Sequence, residues 1–151
     1  MALPTHGTSE EASFVAIQIN KGRQRLQEPY SLNRLKDVLD QLDEVADECG
    51  SPNWDGYQAA PVTLDAFKQT YLFLEALPSG MSLPTVGAEP DGHVTLEWYH
   101  SPQRTLSVSV SPEGELHYAA LIGPNKAYGT EVFFGEVPQS ILQLIGRVTR
   151  V

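Results

Sequence analysis

Two histidines and a glutamate in the second half of the chain are the residues whose types and spacing could carry chemistry. His93 and Glu97 stand four apart in "GHVTLEWYH", so on a β-strand they share one face, and His117 in "ELHYAAL" belongs to a later strand. Two imidazoles and a carboxylate brought together could hold a metal or share a proton. A solvated sheet face also carries scattered histidines and glutamates with no such role, and strand register decides between the two. The polar-face site is therefore the alternative here, and the primary expectation is no catalytic residue, no metal and no cofactor.

Other templates are missing. The chain has no phosphate-cradling G-x-x-x-x-G-K-[ST], no dinucleotide fingerprint, no H-E-x-x-H and no G-x-S-x-G. Its one cysteine, Cys49, has no disulfide partner, and one cysteine with four scattered histidines offers no zinc-finger spacing, which points to a reducing compartment.

The elements that must position these side chains follow from periodicity. Val94, Leu96 and Trp98 alternate with Thr95, Glu97 and Tyr99, and Leu106, Val108 and Val110 alternate with Thr105, Ser107 and Ser109. "EPDG", "HSPQ" and "SPEG" supply the turns. "ELHYAAL" continues the meander, and "YGTEVFFG" reads as a further strand after a loop "GPNKA". "VPQSILQLIGRV" reads as a short closing helix with Pro138 first and Ile141, Leu142, Ile145 and Val148 on one side.

Two helices precede the sheet. Ser31 is placed as the N-cap of a helix over residues 32–49, stapled by Tyr30 and Leu35 and ended by Gly50, with Leu32, Leu35, Leu39, Leu42, Ala46 and Cys49 as its apolar stripe. Cys49 is thereby a core residue. The other side carries Asp37, Asp40, Asp43, Glu44, Asp47 and Glu48. Such a run is either a solvated face or a docking surface for a basic partner. The second helix, Leu64 to Leu77, has Thr63 as N-cap and buries Phe67, Tyr71, Leu74 and Leu77.

Between the helices lies "NWDGYQAAP". Asn53 and Asp55 can bond their own backbone, Gly56 can supply positive φ, and Pro61 discourages a helix through the junction. Trp54 and Tyr57 are expected to pack the connection onto the core. With no base, nucleophile or metal partner near in sequence, the motif reads as a structural hinge.

These elements make an α+β fold: N-terminal helices packed on a C-terminal antiparallel β-meander of about four or five strands, with a closing C-terminal helix. Residues 1–30 read as a partly flexible N-terminal extension, with a tail over 1–9 followed by "SFVAIQIN", in which Val15, Ile17 and Ile19 alternate as in a strand while Phe14, Ile17, Glu10 and Glu11 suit a helix, the reading favoured; residues 31–151 read as one domain.

The stretches "NWDGYQAAPVT", "LEALP", "LPTVGAEPDGHVTLEW" and "LSVSVSPEGELHYAAL" resemble a group of small bacterial proteins of uncharacterised function that share an N-W-D-G-x-x-A-x-P motif. The likeness covers roughly residues 50–122, and the group usually carries glycine where Gln58 stands. It implies bacterial origin and a shared fold, not a chemistry.

Net charge narrows the partners. At −9 the chain repels phosphate backbones and anionic membranes, and its one basic cluster, Lys21, Arg23 and Arg25, reads as a solvated linker. No direct nucleic-acid contact is expected. No apolar run is long enough to cross a bilayer, and the N-terminus lacks a basic start followed by an apolar stretch, so a cytoplasmic location is expected. The function these features favour is a non-enzymatic protein-binding module, an adaptor, immunity or antitoxin-like protein, that docks through Asp40, Asp43, Asp47 and Glu48. The alternative is a small hydrolase or metal-dependent enzyme working from His93, Glu97 and His117.

Overall fold

The computed structural model describes residues 29–150, with side chains from residue 34 onward. The expectations for the tail, for a helix over "SFVAIQIN" and for the Lys21, Arg23 and Arg25 cluster lie outside the described residues. Chain contacts divide the protein into two compact units, Met1–Lys36 and Asp37–Val151. The architecture that follows belongs to the second unit, together with the first turns of the helix that leads into it.

Helix α1 spans Pro29–Glu48. It begins ahead of the expected Ser31 cap, because proline at the first helical position has a φ already suited to the helix and gives up an N–H that would be unpaired there anyway. Val38, Leu42, Val45 and Cys49 are buried, whereas Leu39 and Ala46 are only half-buried. Leu35, Leu42 and Cys49 keep the expected stripe, while Val38 and Val45 take the buried places expected of Leu39 and Ala46. Gln41 Oε1 accepts the Val86 N–H at 2.9 Å, which pins α1 beside the first strand.

Helix α2 spans Leu64–Ala76, and Thr63 caps it by accepting the Ala66 N–H at 3.3 Å, with Asp65 favourable in the first turn. Phe67, Tyr71, Leu74 and Leu77 are all buried, as their spacing requires. Thr70 is buried too, and its hydroxyl is satisfied by donating to the Ala66 carbonyl at 2.8 Å.

The sheet is a five-stranded antiparallel meander in chain order: β1 Thr85–Ala88, β2 Val94–Ser101, β3 Arg104–Val110, β4 Glu115–Ile122 and β5 Asn125–Val132. Val94, Leu96, Trp98, Leu106, Val108, Val110, Leu116 and Ala120 form its buried face. That face packs against α2 and against helix α3, Gln139–Thr149. The Trp98 indole donates to the Ser82 carbonyl at 2.8 Å, so its one polar atom is paired although the ring is buried. The fold is α+β, with helices before the meander and one after it.

Two element expectations need correction. "GPNKA" is not a five-residue loop: Ile122 pairs with Asn125, so Gly123 and Pro124 alone make the turn and β5 begins at Asn125. Val132 ends the strand, leaving Phe133 buried behind it and Phe134 exposed. In α3 the buried side is Ile141, Leu144, Ile145 and Val148, with Leu142 only half-buried. Positions 141, 144, 145 and 148 follow the helical repeat on one stripe, and Leu142 falls to its margin. The C-terminal end of α3 is held by Arg104, whose guanidinium donates to the carbonyls of Arg147 and Arg150.

Gly129 answers a question its place in a strand poses. It sits opposite Tyr118, and a Cβ there would lie 2.6 Å from the tyrosine oxygen, so the ring takes the space a side chain would fill.

Candidate functional site

The turn after β1 builds one end of the solvated sheet face. In "EPDG" the Gly92 N–H bonds the Glu89 carbonyl at 2.9 Å, and the Glu89 N–H bonds the His93 carbonyl at 2.9 Å. Gly92 has φ 89°, the left-handed position of a three-residue hairpin loop, where glycine carries no Cβ penalty. The geometry turns Glu89, Asp91 and His93 toward a common space. Asp91 Oδ1 accepts the His93 N–H at 3.0 Å, and its other oxygen lies 3.5 Å from His93 Nδ1.

Register then brings the later strands alongside. Ser109 pairs with Thr95 on one side and with His117 on the other, and His117 pairs with Thr130. The rings of His93 and His117 stack with centroids 6.0 Å apart and planes 9° from parallel. Ser109 Oγ lies 3.2 Å from His93 Nδ1 and donates to Glu89 at 2.5 Å. His117 Nδ1 lies 3.0 Å from Thr130 Oγ1, and its Nε2 is 4.0 Å from Glu115.

The structure thus unites two of the three residues in the sequence-derived trio and sets the third apart. Glu97 pairs with Ser107 and Thr85 and stands four positions along the chain from His93, a rise of about 13 Å. The carboxylates beside the imidazoles are Glu89 and Asp91 instead. Their signal was present in "EPDG", whose proline and glycine make the turn while its two acids flank the bend.

The order of bonds limits the chemistry. In a Ser–His pair the serine passes its proton to the imidazole, whereas Ser109 directs its hydroxyl to Glu89 and presents its oxygen to His93 Nδ1. Carboxylate, hydroxyl and imidazole in that order support the histidine rather than activate the serine.

The acidic side of α1 is laid out as its period dictates. Asp40, Asp43, Asp47 and Glu48 are exposed, as are Asp37 and Glu44, opposite the buried Val38, Leu42, Val45 and Cys49. Burial, and secondarily the charge of Glu48, raises the Cys49 thiol pKa above its ordinary value.

The N-W-D-G loop is saturated with its own bonds. Asp55 Oδ1 accepts the N–H groups of Tyr57 at 2.8 Å and Ala59 at 3.1 Å, and Asn53 Oδ1 accepts that of Gln58 at 2.7 Å. Gly56 has φ 78°, and Asn53 and Gln58 also adopt positive φ, 63° and 66°. Trp54 is half-buried, with its indole donating to the Ala60 carbonyl at 2.7 Å. Tyr57 does not pack on the core: it is 88% exposed, because the turn closed by Asp55 directs that position outward. The Ala60 N–H bonds the Pro90 carbonyl at 2.7 Å, so this junction and the turn carrying Glu89 and Asp91 are fastened together, with Pro61 half-buried beside them.

Among the described residues no helix is long and apolar enough to cross a membrane. Comparison with protein-family models, with curated proteins and with solved structures produced no match.

Proposed function

We propose that this protein is a binding module, of the adaptor, immunity or antitoxin kind, that docks a basic protein partner through Asp40, Asp43, Asp47 and Glu48 of α1. The observation that carries the reading is the exposure of these four carboxylates on one side of a helix whose other side is buried. A helix anchored in this way presents charge without having to order itself on contact, which lowers the entropic cost of association. Aspartate side chains are short and lose little rotamer freedom when they dock. A net charge of −9 adds a long-range field that draws cationic surfaces in and repels nucleic acid. Bacterial origin and a cytoplasmic setting belong to the same proposal, the first through the resemblance around "NWDG".

The test is purification of the tagged protein from its host. A basic protein in fixed stoichiometry, released as salt rises and lost when the four carboxylates are changed to amides, supports docking through charge. Recovery of the free protein alone, or of a partner indifferent to salt and to the four changes, contradicts it.

The enzymatic alternative is favoured by one observation, the stacking of His93 on His117. Its carboxylate is then Glu89 or Asp91, so the double change Glu89→Gln with Asp91→Asn should abolish any activity of the sheet face and Glu97→Gln should leave it intact.

A further inference from the structure

Three donors, two carboxylates and an imidazole, meet at the β1–β2 turn. One atom from each of Glu89, Asp91 and His93 can be chosen so that all three lie within 4.8 Å of one another. We propose that this turn binds a divalent transition-metal ion of the zinc class, with His93 Nδ1, an oxygen of Asp91 and an oxygen of Glu89 as ligands. The site is independent of the acidic side of α1.

Spacing is the first argument. Ligand atoms bound tetrahedrally to zinc at about 2.1 Å stand about 3.4 Å apart. His93 Nδ1 and Asp91 Oδ2 are already 3.5 Å apart, so these two need almost no movement to share an ion. Preorganisation is the second. Asp91 is oriented by accepting the His93 N–H through its other oxygen, and Glu89 is oriented by the Ser109 hydroxyl at 2.5 Å. Outer partners of this kind set ligand direction and raise affinity.

Electrostatics is the third. Two carboxylates held this close repel each other, and a dication among them relieves the repulsion without burying an unpaired charge. A neutral imidazole protonated at Nε2 offers Nδ1 to the ion, so ion binding requires that tautomer of His93 and exchanges the Nδ1 contact with Ser109 for the ion. One nitrogen with two carboxylate oxygens suits zinc or nickel; magnesium and calcium prefer oxygen alone. Three protein ligands leave the fourth position for water. His117 takes no part as a ligand: its nitrogens face Thr130 and Glu115.

Calorimetric titration of the metal-free full chain with zinc chloride tests the site. The expected result is one saturable equivalent, weakened about tenfold or more in His93→Ala and in Asp91→Asn, and unchanged in His117→Ala. Asp91→Asn keeps the oxygen that accepts the His93 N–H, so it removes a charged ligand while leaving the turn in place. Absence of saturable binding overturns the proposal. So does zinc binding that survives both His93→Ala and Asp91→Asn, or that His117→Ala removes as fully as His93→Ala.

Discussion

Gln58 holds a backbone conformation, φ 66°, that glycine adopts more easily. A non-glycine residue in the left-handed region costs about 1–2 kcal/mol, partly offset because glycine loses more freedom on folding. Gln58→Gly should therefore raise stability by about 0.5 kcal/mol, read as an increase in melting temperature. Gly92→Ala should do the opposite by at least about 1 kcal/mol, since its φ is 89° and a Cβ would lie 2.7 Å from the Pro61 carbonyl oxygen. Equal melting temperatures for the two variants would contradict this account of the loop. Trp54→Ala should cost about 2 kcal/mol, because it removes a half-buried ring and the bond to Ala60. Loss of a function without loss of stability in that variant would make the loop a site rather than a junction. The turn chemistry of Asn53, Asp55 and Gly56 was legible in the sequence because each acts on backbone atoms a few residues away. The exposure of Tyr57 was not, since an aromatic residue between turn formers carries no mark of the direction it takes.

Element boundaries show the same division between local and tertiary information. The Thr63 cap, the buried stripe of α2 and the alternation of β2 and β3 depend on neighbours in sequence, and each was readable. The start of β5 was not, because Asn125, Lys126 and Ala127 lack strand preference and are held by pairing with Ile122, Leu121 and Ala120. The sheet-face cluster failed in part for a related reason. Alternation fixes which side His93 and Glu97 take, whereas only register sets His117 beside Ser109 and leaves Glu97 opposite Ser107. In α3 the difference between Leu142 and Leu144 gives a direct test of packing. Leu144→Ala should cost about 2–4 kcal/mol, and Leu142→Ala distinctly less, when denaturant unfolding is compared. A larger loss at Leu142 would mean that α3 is rotated relative to the stripe described above.

For the whole molecule, the central claim is that acidity serves recognition. Exposed charges contribute little to stability, so replacing Asp40, Asp43 and Asp47 with asparagine and Glu48 with glutamine should leave the unfolding free energy within about 1 kcal/mol. Any larger effect should appear in binding kinetics. Peripheral charges accelerate encounter by about tenfold or more at low salt and influence dissociation much less. The decisive measurement is the association rate constant with the purified basic partner, for the wild-type chain and the fourfold variant, across a series of salt concentrations. The account predicts an association rate about tenfold slower for the variant at low salt, with the two chains converging as salt screens the field. Association rates that are equal for both chains and flat with salt would contradict it, and would leave the carboxylates of α1 as a solvated face with no part in docking.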